Sequence, residues 1–85
     1  MAKRYLEDPH TIERYPIRRM TDSKITITYP VRYSSGTEFV IITFPFKVID
    51  GDVCVPGDLD EYTYRFPLPD YEPDFYPTTI HDEPA

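Results

Sequence analysis

With one cysteine, Cys54, in 85 residues, the chain can form no internal disulfide. A lone thiol suits a reducing compartment, and a soluble cytoplasmic protein is the expectation. Glycine is nearly as scarce. The three present, Gly36, Gly51 and Gly57, each follow a turn-forming residue, so no Gly-rich loop is left to cradle a phosphate. Long apolar runs are missing too. The longest, Phe39–Phe46, is far short of the roughly 20 residues that cross a bilayer, and the first residues turn acidic at Glu7-Asp8 before any apolar run, unlike a signal peptide. Eighty-five residues provide one domain with a thin core, a size that often relies on association with another chain.

Basic residues are absent from most of the second half. Between Asp50 and Ala85 there are ten carboxylates and a single cation, Arg65. Residues 1–35 carry seven Lys/Arg against four Asp/Glu, and Glu38 balances Lys47 between the two regions, which gives segment charges of +3, 0 and −9. Such an acidic half repels nucleic acid and anionic membrane, and it suits a basic protein surface.

What is present is β patterning. Ile25, Ile27, Tyr29, Val31 and Tyr33 alternate with Thr26, Thr28, Pro30 and Arg32, the period of a half-buried strand. Pro30 has no amide proton, so the strand is expected at a sheet edge or with a bulge there. Ser34-Ser35-Gly36 supplies a turn. The next strand, 37–49, is apolar on both faces, with Val40, Ile42, Phe44, Phe46 and Val48 on one and Phe39, Ile41, Pro45 and Ile49 on the other. So short a chain can hardly cover both, which makes Phe39, Ile41, Phe44 and Phe46 candidates for self-association. Pro45 predicts a bend or bulge near Phe44–Phe46. Asp50-Gly51 is a two-residue hairpin signal leading to a short strand around Cys54, where a small buried thiol is expected. Pro56-Gly57 reads as another turn, with Gly57 accepting a positive φ, and Tyr62, Tyr64 and Phe66 alternate in a fourth strand over 61–66.

The predicted fold is mainly β, an antiparallel meander or partly open barrel of about four strands. Residues 1–22 are expected as a basic irregular arm with at most a short helical turn over Pro9–Arg14, and 23–66 as the β domain. Residues 67–85 are expected as an acidic, extended Tyr/Pro-rich tail. In the arm, Asp8-Pro9 is a good helix start, but Pro16 stops anything long. Arg14, Arg18 and Arg19 have the composition of an anion site, and the favoured reading is a solvated basic arm that pairs with the acidic half. In the tail, Tyr71, Pro73, Phe75 and Pro77 share one parity and Asp70, Glu72 and Asp74 the other. An extended chain therefore lays an aromatic face on a surface and turns an acidic face outward. His81–Ala85 is expected to fray.

Catalytic and metal signatures do not emerge. His10, His81 and Cys54 lack the close spacing of zinc ligands, and neither Asp50/Asp52 nor Asp58/Asp60/Glu61 fits a calcium loop. Ser34 and Ser35 lack the Gly-x-Ser-x-Gly elbow. No enzyme, cofactor or metal is expected. Neither is direct nucleic-acid or membrane binding. The acids at i, i+2 spacing have two readings: the favoured one is that they keep an aromatic protein soluble and blunt its edges, and the other is mimicry of nucleic acid. On extended backbone those neighbours lie about 6.6 Å apart, about twice the axial phosphate spacing of one DNA strand.

The function expected is a non-enzymatic binding module, an inhibitor or adaptor that occupies a basic, nucleic-acid-binding surface of a larger protein. A phage anti-host or anti-defence protein has this small, acidic character. Asp70, Tyr71, Glu72, Asp74, Phe75 and Tyr76 are the candidate contacts. The alternative is a structural subunit, homodimeric or larger, that assembles through strand 37–49. Tyr33-Ser34-Ser35-Gly36-Thr37, Phe44-Pro45-Phe46 and Tyr62-Thr63-Tyr64-Arg65-Phe66 together resemble the N-terminal attachment segment of podovirus tail fibres. That resemblance implies the structural role, covers residues 33–66 and carries no site residues across.

Overall fold

The computed structural model describes residues 3–59, 63–64, 70 and 72–83. Its strands are β1 (Lys3–Glu7), β2 (Arg14–Met20), β3 (Lys24–Tyr33), β4 (Gly36–Pro45), β5 (Lys47–Ile49), β6 (Asp52–Pro56), β7 (Phe75–Pro77) and β8 (Ile80–Glu83). They form two antiparallel sheets, ordered β4-β3-β2-β1-β8 and β5-β6-β7, and neither closes into a barrel.

The alternating segment behaves as its period dictates. Ile25, Ile27, Ile42 and Phe44 are buried on one face of the β3–β4 hairpin, where Ile25 lies opposite Phe44 and Ile27 opposite Ile42. The ladder runs unbroken from Lys24↔Pro45 to Tyr33↔Gly36, so Pro30 causes no bulge. It escapes a penalty for a different reason. Phe46 N–H donates to the Ser23 carbonyl, which fixes the alternation along the pair, so Ile25, Ile27 and Tyr29 bond toward β4 while Lys24, Thr26 and Pro30 face β2. Pairing with β2 stops at Ile27↔Ile17, before Pro30 could be asked for a proton. The sheet's bulge lies in β2 instead, where the register shifts between Ile17 and Arg19 and leaves both Arg18 and Arg19 exposed.

At Phe46 the chain leaves the first sheet and enters the second, the bend that Pro45 predicts. Asp50 (φ 52°) and Gly51 (φ 85°) then form the two-residue connection between Ile49 and Asp52, both left-handed as a type I′ turn requires. Cys54 is buried in β6, with its thiol directed to the Asp52 carbonyl at 3.6 Å.

The irregular arm expected over 1–22 is instead two strands, β1 and β2. The expected helical turn shrinks to the connection between them. Asp8 Oδ1 accepts the amides of His10 (2.9 Å) and Thr11 (3.2 Å), and Ile12 N–H donates to the Asp8 carbonyl. Ile12 then turns left-handed (φ 57°), and Glu13 O accepts the Asp8 amide as β2 begins. Asp8 is buried, and its second oxygen accepts the Tyr15 hydroxyl at 3.1 Å. The tail differs as well. Of His81–Ala85, expected to fray, His81–Glu83 belong to β8, which pairs along β1 from Leu6↔Ile80 to Lys3↔Glu83, and residues 84–85 lie outside the described residues. Arg4–Asp82 (3.0 Å) and Arg14–Glu83 (3.4 Å) are the pairing of basic arm with acidic half that the charges suggest. The strand expected over 61–66 falls largely outside the described residues. Of it, Thr63 and Tyr64 are described and belong to no strand.

One core joins both sheets. Leu6, Tyr15, Ile25, Ile27, Ile42 and Phe44 come from the larger sheet, Val55 from the smaller, and Leu59 from the segment that follows it. Thr78 and Thr79 tie the sheets a second time. Thr78 N–H donates to Val53 O, its hydroxyl donates to Glu7 O, and Thr79 O accepts the Glu7 amide.

Tyr15 is held above its ordinary pKa, first by burial, then by the Asp8 charge and its hydrogen bond. The folded chain thus keeps this proton where the unfolded chain, near pH 10, releases it. The contribution of Tyr15 to stability is complete below that pH and is lost as pH rises above it. Urea midpoints measured from pH 9 to 11 should decline less steeply for Tyr15→Phe than for the parent. At pH 7, Asp8→Ala removes the accepted bonds of the connection and should lower unfolding free energy by about 2–4 kcal/mol.

Candidate protein-binding surface

The tail residues split by parity only in part, since Pro77, of the aromatic set, is exposed. Asp70, Glu72 and Asp74 are exposed, while Pro73 and Phe75 are half-buried. Tyr71 lies outside the described residues. Phe75 lies beneath the Lys47 ammonium, which sits 4.6 Å from the ring centroid, so this aromatic packs on its own domain. Tyr76 remains 39% exposed and meets the His10 ring edge-on at 4.8 Å between centroids.

The fold adds residues that sequence reasoning missed. Asp74 O accepts the Gly57 amide as β7 comes in beside β6, which brings the tail acids alongside Asp58. His10 arrives from the β1–β2 connection. Together Asp58, Glu72 and Asp74 surround an open concavity of about 430 Å³, walled by His10, Gly57, Pro73 and Tyr76. The Tyr64 hydroxyl donates to Asp58 Oδ1 at 3.1 Å and fixes that carboxylate in place. No local signal reveals this convergence, because its parts come from three separate segments.

Gly57 has a role other than the one its turn-like sequence suggests, for it takes no positive φ. A side chain there would place Cβ 2.5 Å from His10 Nε2 and 2.6 Å from the Tyr76 ring. Only hydrogen leaves room for those two rings to approach the backbone.

The i, i+2 acids are not one continuous array. Asp50 forms the hairpin turn and Asp52 opens β6, which accounts for both as turn residues. Asp60 lies outside the described residues. A second charged concavity, of about 400 Å³, lies on the N-terminal strands and is lined by Lys3, Arg4, Arg18 and Arg19. Arg4 is paired with Asp82 there.

The four residues expected to self-associate separate. Phe39 (67% exposed) and Ile41 (55%) project from the outer face of β4. Phe44 is a core residue, packed edge-on against Tyr64 at 5.9 Å, and Phe46 is half-buried against the same core. Phe44 is therefore removed from the candidate surface. Its parity with Ile42 puts it on the inner face, which the smaller sheet and Tyr64 cover.

No protein-family model matches this chain, and no curated protein or solved structure is detectably similar to it.

Gly57→Ala should displace the His10 and Tyr76 rings rather than unfold the protein, since both can swing toward solvent. The expected loss is about 1 kcal/mol in stability, with the ring-current shift of the His10 protons abolished in the NMR spectrum.

Proposed function

We propose that this chain is a non-enzymatic protein-binding module that occupies a basic surface on a larger protein. The supporting observation is the convergence of Asp58, Glu72 and Asp74 around one open concavity with Tyr76 exposed at its wall. A lysine or arginine side chain is the complementary group. Carboxylates accept its N–H bonds, and an aromatic face attracts its charge. Asp70 and the other exposed acids would then add long-range attraction, which raises association rate and discriminates against acidic partners.

A basic surface of this kind is commonly built for phosphates, and the acidic face would compete with nucleic acid for it. In that reading the module is an inhibitor or adaptor, of the sort that a phage directs at host or defence enzymes. Its aromatic contribution comes chiefly from Tyr76, because Phe75 is engaged with Lys47.

The reading is tested by affinity capture from the lysate of the source organism, with the parent chain and with Glu72→Gln/Asp74→Asn side by side. A captured protein should be released by added duplex DNA and by raising salt from about 0.1 to 0.5 M. The double variant should capture it at least about 10-fold less, as expected for the loss of two charge-assisted contacts. Equal capture by the variant, or capture indifferent to salt and DNA, would overturn the reading.

A further inference from the structure

The two sheets end in edges of different character. β5 and β7 are three residues long, and β8 is four, with His81, Asp82 and Glu83 along it. Short length and charge both discourage pairing with another chain. β4 has neither protection. It runs for ten residues, its one charge is Glu38, and among the described strands none pairs with its outer side.

The direction of its backbone groups follows from the ladder. Since Phe46 bonds to Ser23, the β4 residues joined to β3 are Gly36, Glu38, Val40, Ile42 and Phe44. The intervening amides and carbonyls of Thr37, Phe39, Ile41 and Thr43 therefore point away from the sheet. Their side chains also share the outer face, where Phe39 and Ile41 are exposed and Thr43 bonds Thr26 at 2.9 Å. Pro45, the next in that series, carries no donor and ends it.

This edge is self-complementary. An antiparallel copy related by a two-fold axis at Val40 sets Phe39 opposite Ile41 of the second copy, and Thr37 opposite its Thr43. Every outward donor from Thr37 to Thr43 then meets an outward acceptor, and neither Pro45 nor a like-charge pair enters the ladder. Aromatic against β-branched and threonine against threonine are favourable cross-strand pairs.

We propose that two copies of this chain pair through β4 in this register, making one continuous ten-stranded sheet from the two five-stranded ones. The proposal is independent of the acidic concavity, which lies on the β6–β7 side and takes no part in the pairing.

Sedimentation velocity between about 5 µM and 1 mM (a range that brackets typical modest dimers) should show the 10.0 kDa chain doubling in mass. Amide exchange read at the same concentrations should slow at Thr37, Phe39, Ile41 and Thr43 as the dimer forms. Val40 and Ile42, already bonded to β3, should change little. Ile41→Lys sits at an exposed position and should fold, as circular dichroism would verify, while weakening the dimer by at least about 30-fold. In a sample mixing labelled and unlabelled chains, contacts between the Phe39 ring and Ile41 methyls of different copies fix the register. A monomer at 1 mM would overturn the proposal. So would a dimer that Ile41→Lys leaves intact, or one whose formation leaves those four amides unprotected.

Discussion

Five of the seven prolines among the described residues lie inside strands, at positions 16, 30, 45, 56 and 77, and the fold depends on where each nitrogen points. A sheet needs one donor from every second residue on each side, so a proline facing a neighbouring strand leaves a carbonyl bare. None of these does so within a paired stretch. Pro16 and Pro30 face each other's strands just beyond the last β2–β3 pair, and Pro56 faces β5 just past Lys47. Pro45 and Pro77 point off open edges, since Thr78 N–H and Asp74 O set the bonded parity of β7. A slip of one residue in any of these strands would turn a proline into its ladder and move the apolar set to the wrong face at once. Proline thus specifies register here as firmly as hydrophobicity does.

That constraint also shapes the surface. Because the larger sheet buries one face against β6 and Leu59, its other face and its β4 edge remain outside. Because β7 is drawn against β6, Glu72 and Asp74 are brought beside Asp58 and His10. Cationic and anionic concavities then arise on different strands, the first on β1–β2 and the second next to β6–β7. The uneven charge along the sequence becomes an uneven charge in space, with part of it neutralised where β8 lies along β1.

Legibility in the sequence followed the range of the interactions. The β3 alternation, the Asp50-Gly51 turn, the bend after Pro45 and the buried Cys54 all rest on neighbours within a few residues, and these are readable. β1 and β2 were not, because Lys3-Arg4 and Arg18-Arg19 dilute their apolar pattern. What makes them strands is pairing, including an ion pair between Arg4 and Asp82 that spans 78 positions. Asp8 was legible as a cap, but not as the acceptor for Tyr15. Among the site residues, exposure of Asp70, Glu72 and Asp74 followed from parity. Phe44 was misplaced because periodicity names two faces without saying which is covered. Gly57 and His10 were invisible, since a close approach between distant segments leaves no local mark.

The contact between β1 and β8 has a consequence for how the molecule comes into being. During synthesis β8 leaves the ribosome after β1, β2, β3 and β4, so the four-stranded sheet β1–β4 must wait for its fifth member. Such long-range closure slows folding and prolongs exposure of an open edge. The waiting edge is β1, whose bonding groups at Lys3, Tyr5 and Glu7 receive partners, among the described residues, from residues 79–83. Its Lys3 and Arg4 are charged side chains on that open edge, a composition that discourages pairing with another chain. The acidic strand β8 then brings the opposite charge to the same place, where Asp82 pairs with Arg4.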